Sequence, residues 1–384
     1  METCPNACSP HVAPPAERGE NDLTTTERYE LELSLIYLPR MPINKGASVV
    51  DINKRRIING ADADVMQLYP MRHKFAWEAY MAGNANHWLP TEISMQRDIE
   101  QWRAPDVLSA DERKAFETVL GFFTTADSIA ANNVVLALYK HITSPECRMY
   151  LLRQGYEEAI HTHAYQYIVE SLSMDESRIF NMYREIDAIY QKDNMVLGLN
   201  EGIFDPSFKT GTLENDQKFL ENLCVFSLIL EGIFFYSSFA VMFGFQRQNK
   251  LTGSAEQIQY IMRDESQHLN FGINMINAIK EEQPEVWTKS FQDHIVDLVR
   301  RAVVLEYTFA TEVFPRGIFG MNAAGFKQYI EHIADRRLER VGLPAQFNVS
   351  NPFTWMSEAV DLNKEKNFFE TRVTEYKTGG QLSW

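Results

Sequence analysis

From Asp62 almost to the end of the chain, apolar residues recur every three or four positions, and no run alternates strictly, so the pattern predicts helices and no sheet. The spacing places helices at roughly 62–83, 109–142, 145–173, 175–192, 214–246, 254–282, 284–313 and 322–340. Start signals support several of them: Ser109 before Asp111-Glu112, Ser144-Pro145-Glu146, and Thr252 through Ser254 before Glu256. Breakers fall at "NEGIFDPSFKTG" (200–211), "QNKLTG" (248–253) and Pro284. Several of these helices reach about 28 to 35 residues, longer than the globular average, which favours an all-α bundle.

Four of the helices carry a carboxylate inside an otherwise apolar stripe. The first runs Phe116, Leu120, Phe123, Asp127, Ala131, Val134, Leu138, and the next runs Leu151, Glu158, His161, Tyr165, Ile168, Leu172. Glu231 sits between Ser227-Leu228 and Phe234-Phe235, and the fourth stripe is Ile258, Ile261, Glu265, His268, Gly272, Met275, Ile279. A buried carboxylate is costly unless it is paired, hydrogen-bonded or on a metal. Four together repel and drive one another toward protonation. Two divalent cations balance the four charges, and His161 and His268 add neutral nitrogen ligands.

Di-iron and di-manganese carboxylate bundles use one Glu from each of two helices and Glu-x-x-His from each of two others. This chain supplies "EAIH" at 158–161 and "ESQH" at 265–268, with Asp127 in place of one lone Glu. With 34 Glu and 9 His, chance gives 34 × 9/384, or about 0.8 such pairs, so the count alone decides little. The order carboxylate, ExxH, carboxylate, ExxH, each mid-stripe, sets this apart from buried salt bridges in an ordinary core. An oxygen-rich set suits iron or manganese. His163 points to another face, and His73, His87, His141, His294 and His332 lack ligand spacing and are read as structural.

Composition narrows the classes. A net charge of −15 argues against a nucleic-acid phosphate partner, which would want a basic stripe. Cys4, Cys8, Cys147 and Cys224 are scattered and read as reduced thiols, and the N-terminus lacks the basic and apolar regions of a secretory signal, so a cytoplasmic protein is expected. The 23 residues Leu223–Phe245 are long and apolar enough for a membrane span, but Glu231 near their middle argues for a buried core helix and no membrane. Residues 1–60 read as a flexible arm, 61–345 as the helical domain and 346–384 as a polar tail with exposed Tyr376 and Trp384.

The segments "NHWLPTEISMQRDIEQW", "GFFTTAD", "LLRQGYEEAIHTHAYQYI", "LEGIFFYSSF", "RDESQHLNFGI" and "DLNKEKNFFETRVTEY" resemble, in order, the radical-generating small subunit of class I ribonucleotide reductase. The likeness runs from about Asp51 to Trp384. It implies a ferritin-like bundle with a buried dinuclear site, in which Asp127, Glu158, His161, Glu231, Glu265 and His268 match the metal ligands. By the same resemblance, Trp88 and Asp264 carry an electron through His161 between cluster and surface. Tyr376 hands the oxidising equivalent to a large catalytic subunit that the tail docks. A homodimer is implied as well.

The wording is nearest the chlamydial-type branch, whose members place Glu at the position of Asp127 and Phe at that of Tyr165 and use manganese and iron without a tyrosyl radical. Here both positions carry the residues of the tyrosyl-radical type. The resemblance therefore allows two Mn, Mn/Fe or two Fe per chain, with the oxidising equivalent on Tyr165 or on the metals. Phe234, Phe235 and Phe239 are expected to wall the phenol. A stand-alone di-metal oxidase or hydroxylase, or a non-enzymatic ferritin-like iron-binding protein, are the competing readings; neither needs the tail or the Trp88/Asp264 pair.

Overall fold

The structure, a computed structural model, describes residues 51–60 and 67–356. Four long rods meet at its centre: α3 (Ala110–Asn132), α4 (Pro145–Ser171), the continuous pair α8 (Leu213–Cys224) and α9 (Phe235–Arg247), and α10 (Thr252–Glu282). Around them lie α1 (Lys74–Ala85), α2 (Gln96–Arg103), α5 (Glu176–Phe180), α6 (Met182–Glu185), α7 (Asp187–Phe204), α11 (Lys289–Val313) and α12 (Ala323–Arg340). Among the described residues there are no β-strands beyond two isolated bridges. The expected all-α, ferritin-like bundle is what forms.

Local chemistry sets the rod ends. Ser109 and Glu112 close a reciprocal capping box on α3, and Ser144 caps α4 ahead of Pro145. The start of α10 differs from expectation, because its own Thr252 and Ser254 do not cap it. Asp98 of α2, fully buried, reaches across instead. One oxygen accepts Gly253 N at 2.9 Å; the other accepts Ser254 N and Oγ, both at 2.7 Å. Gly253 is required here, since a Cβ would fall 2.5 Å from the Ser94 carbonyl oxygen.

Other boundaries move for readable reasons. Of the helix expected over 62–83, residues 62–66 lie outside the described residues, 67–73 are not helical around Pro70, and the helix runs from Lys74. The stretch 175–192 divides into α5, α6 and the start of α7, and α7 runs through "NEGIF" to Phe204, stopping at Asp205-Pro206. α11 starts at Lys289, with the Thr288 hydroxyl accepting Phe291 N, after a 3₁₀ turn at Pro284–Val286. α2 is not among the helices that the spacing predicts.

Two rods contain π-helical turns, Asn133–Leu138 after α3 and Val225–Phe234 between α8 and α9. The rod Leu213–Arg247 passes a membrane-span test by composition, yet its most apolar window is wholly buried inside the bundle. It is the core helix. Residues 51–60 pack against this body, with Ile57 and Ile58 fully buried. Residues 1–50, most of the expected tail, Tyr376 and Trp384 lie outside the described residues.

Candidate metal centre

Asp127 of α3, Glu158 and His161 of α4, Glu231 of the second π-helical turn, and Glu265 and His268 of α10 converge, and all six are buried. They form two overlapping groups whose ligand atoms lie within 4.8 Å of one another. One is Asp127, Glu158, His161 and Glu265; the other is Glu158, Glu231, Glu265 and His268. Glu158 and Glu265 belong to both, as bridging carboxylates would. His161 Nδ1 lies 3.1 Å from Glu265 and 3.5 Å from Glu158, and His268 Nδ1 lies 3.3 Å from each of the same two carboxylates.

The outward nitrogens are anchored. His268 Nε2 is 2.8 Å from Glu157, itself paired with Arg153 at 2.9 Å, and His161 Nε2 faces Asp264 at 3.4 Å. Metal-bound imidazoles use this arrangement, giving the outer N–H to a carboxylate and turning the other nitrogen inward. Both inward Nδ1 atoms, and both oxygens of Asp127, Glu158 and Glu265, have no hydrogen-bond partner in the structure. Unpaired buried polar atoms of this density are exceptional unless an ion completes them. The donor set fits two divalent cations.

Electrostatics point the same way. Burial, partly offset by His161, raises Asp127 to about 8; burial and then the Glu265 charge push Glu231 well above the ordinary range. Burial also opposes ionisation of Glu158, but the His161 and His268 contacts override it and bring that carboxyl to about 2. Asp127 and Glu231 thus resist ionisation unless positive charge is added nearby.

Trp88 Nε1 donates to Asp264 Oδ2 at 2.8 Å, and Arg263 donates to the other oxygen, so His161, Asp264 and Trp88 form one hydrogen-bonded line. Tyr260 stacks on Trp88 with centroids 5.2 Å apart and extends that line toward the surface. Tyr165 is fully buried beside Asp127, its hydroxyl unpartnered; burial, then the Asp127 charge, raises the phenol's pKa. Its stacking partner is Phe123, at 5.5 Å and 3°, which the sequence places on the Asp127 stripe but not in the expected wall around the phenol. Phe235 and Phe239 stand behind Phe123, while Phe234 packs on Phe122 instead.

Periodicity could have found Gln154, which sits four residues before Glu158 on the same stripe and donates to Glu231 Oε1 at 2.8 Å. Glu157 and Tyr260 gave no such signal. The partners that tie them to the site, His268 and Trp88, lie far from them in sequence.

The family model for ribonucleotide reductase, small chain, matches residues 65–352. The chain belongs to the ribonucleotide reductase small-chain family. It is 54 % identical over 335 residues to the ribonucleoside-diphosphate reductase subunit beta of Chlamydia pneumoniae, covering 87 % of this chain and 96 % of that one. A Plasmodium falciparum ribonucleoside-diphosphate reductase small chain is 29 % identical over 91 % of this chain and 95 % of its own. The solved R2 subunit from Clostridium botulinum superposes with a TM-score of 0.72 at 27 % identity, over 79 % of this chain and 94 % of that one. The closer likeness to the chlamydial protein agrees with the wording of the motifs. Small subunits of this reductase work with a large subunit.

Proposed function

We propose that this chain is the radical-generating subunit of a ribonucleoside-diphosphate reductase, with Asp127, Glu158, His161, Glu231, Glu265 and His268 holding two metals. The pair of buried groups sharing Glu158 and Glu265, with both imidazole Nδ1 atoms turned inward, carries this reading. The metals are two Mn, Mn/Fe or two Fe. When bound, such a centre supplies the strong one-electron oxidising power that protein side chains lack.

The chain's own residues steer that oxidising power. Glu157 and Asp264 hold the two imidazoles in the tautomer that leaves Nδ1 free to ligate. Phe123, Phe235 and Phe239 keep water from Tyr165. If Tyr165 gives up an electron, its Oη proton must leave as well, and the adjacent Asp127 carboxylate is the group placed to take it. Electrons enter and leave along Trp88, Asp264 and His161. The tail, 346–384, docks to the large catalytic subunit with Tyr376 as the relay, and the chain works as a cytoplasmic homodimer.

Two resting places for the oxidising equivalent compete. The likeness to the Chlamydia pneumoniae subunit favours the metals, with manganese among them; Asp127 and Tyr165 favour the phenol. Reductase assays with the large subunit from the same genome test the whole reading. Wild type should reduce ribonucleoside diphosphates. Deletion of 370–384 and Trp88→Phe should abolish turnover while the metals stay bound, and Tyr376→Phe should abolish it by removing one hydroxyl. Undiminished turnover after the deletion would rule out the docking tail. Ordinary turnover by Tyr165→Phe would place the oxidant on the metals.

A further inference from the structure

Glu231 rides on ten residues of π-helix, Val225–Phe234, a geometry usually confined to single turns at functional sites. Three contacts hold this segment. Ser227 lodges against Gly272 of α10 so closely that a Cβ on Gly272 would fall 2.0 Å from its Oγ. Gln154 donates to the Glu231 carboxylate at 2.8 Å. From the outer side, Arg337 of α12 donates from Nε to the carbonyl oxygen of Gly232, the residue after Glu231, at 2.9 Å.

The guanidinium of Arg337 makes no ion pair among the described residues. It lies 4.5 Å over the ring of Tyr236, whose hydroxyl is 2.7 Å from Ser266 Oγ, beside Glu265. Arg337 therefore grips backbone rather than charge, and it is oriented by a chain of contacts that begins next to a second candidate ligand. The Gly232 carbonyl belongs to the peptide plane one residue beyond Glu231, so the bond from Arg337 Nε restrains the turn that carries Glu231.

We propose that Arg337 is a positioning residue of the metal centre, fixing the π-helical turn so that Glu231 is aimed at the group it shares with Glu158, Glu265 and His268. The inference rests on the assignment of these side chains as metal ligands. Only one of the two groups contains Glu231. Loss of the grip should thus weaken one metal position and spare the other, which a general loss of packing would not do.

The test titrates the metal-free full chain with Mn(II), following free Mn(II) by electron paramagnetic resonance and melting by circular dichroism. Wild type should bind two Mn(II) per chain. Arg337→Met keeps the stem but removes the donors; it should hold the first ion as wild type does and bind the second at least about tenfold more weakly. Arg337→Lys, which keeps the charge, should fall between them. Arg340→Met, whose own guanidinium bonds Asn270 at 2.7 Å, should bind both ions normally. Wild-type affinity for both ions in Arg337→Met, or equal weakening of both, would overturn the inference alone. If Arg337→Met fails to fold, Arg337→Lys decides by the same split between first and second ion. A wild type binding fewer than two Mn(II) would remove the ligand assignment, and this inference with it.

Discussion

Where residues 51–60 and 67–73 meet α4 and α10, the side chains of Glu146 and Glu282 are almost as deeply buried as those of Glu158 and Glu265 in the metal centre. Their surroundings are opposite. Glu146 accepts the backbone N–H of Arg72 at 3.0 Å and of His73 at 2.8 Å, and Arg55 stands 3.8 Å away. Glu282 accepts Ile57 N at 2.9 Å and contacts His73 Nε2 at 2.8 Å, with Arg72 at 3.5 Å. The chain's own donors and cations surround this junction, although Glu146 Oε2 has only the Arg55 ion pair and no hydrogen bond. In the centre, carboxylates face carboxylates and the imidazoles turn bare nitrogens toward them. Burial alone therefore does not mark a functional carboxylate; several donor-poor carboxylates converging with inward imidazole nitrogens do.

Breaking each cluster should expose that contrast. The largest effect is expected from Glu146→Ala, which removes the carboxylate beside buried Arg55 and the acceptor of the Arg72 and His73 backbone N–H groups, and should destabilise the fold by about 3–5 kcal/mol in denaturant titrations. Metal content per chain should stay at wild-type level, because no candidate ligand is touched. Loss of metal in a folded Glu146→Ala would undo the separation of the two clusters.

Acid should act on the junction next. Burial raises the Glu146 carboxyl, but its bonds from His73 prevail and hold it at about 2, below the ordinary 4.5. A depressed carboxyl stabilises fully above the unfolded value and loses that contribution as pH falls from about 4.5 to about 2. The shift corresponds to roughly 3 kcal/mol. Comparing wild type with Glu146→Gln by urea unfolding between pH 5 and 2 should show their difference shrinking as pH drops; a constant gap would contradict it. His73 has the reverse sign. Burial lowers it, yet Glu146 and Glu282 raise it above the ordinary value, so its contribution is complete below about 6.5 and fades as pH climbs through the raised pKa.

The metal centre should respond in the opposite sense. Glu231→Gln removes one of four crowded acids while keeping shape and the oxygen that Gln154 bonds. Metal-free Glu231→Gln should be more stable than wild type by on the order of 1 kcal/mol, and should lose one metal on loading. A destabilised metal-free variant would argue that the acids are satisfied as they stand. The smallest change belongs to Tyr165→Phe. Only one hydroxyl beside Asp127 is removed, so unfolding free energy should stay within about 1 kcal/mol of wild type and metal loading should be unchanged.

The ligand-bearing faces were legible because each lies on a long helix with an unbroken apolar stripe, where a charged residue stands out. "EAIH" and "ESQH" mark the same turn of two such stripes, and Asp127 and Glu231 interrupt two others. What stayed hidden depends on partners distant in sequence. Asp98 caps a helix more than 150 residues away, Glu157 meets His268 of another helix as well as Arg153 of its own, and Phe123 lies against Tyr165 while Phe234, expected in that wall, packs on Phe122. The π-helical turns also escaped notice, since Val225–Phe234 is apolar on every side and carries no period to shift. Helix α7 passing through Gly202 reflects a tolerated glycine, with Pro206 the effective stop.

The central claim is that six buried side chains hold two metals with Glu158 and Glu265 between them. Anomalous diffraction from crystals of the metal-loaded full chain tests it most directly. Two peaks per chain are expected, each about 2.0–2.3 Å from its ligand atoms. One should be bound by Asp127 and His161, the other by Glu231 and His268, and both by the two shared carboxylates. A single peak, or peaks away from these side chains, would contradict the account.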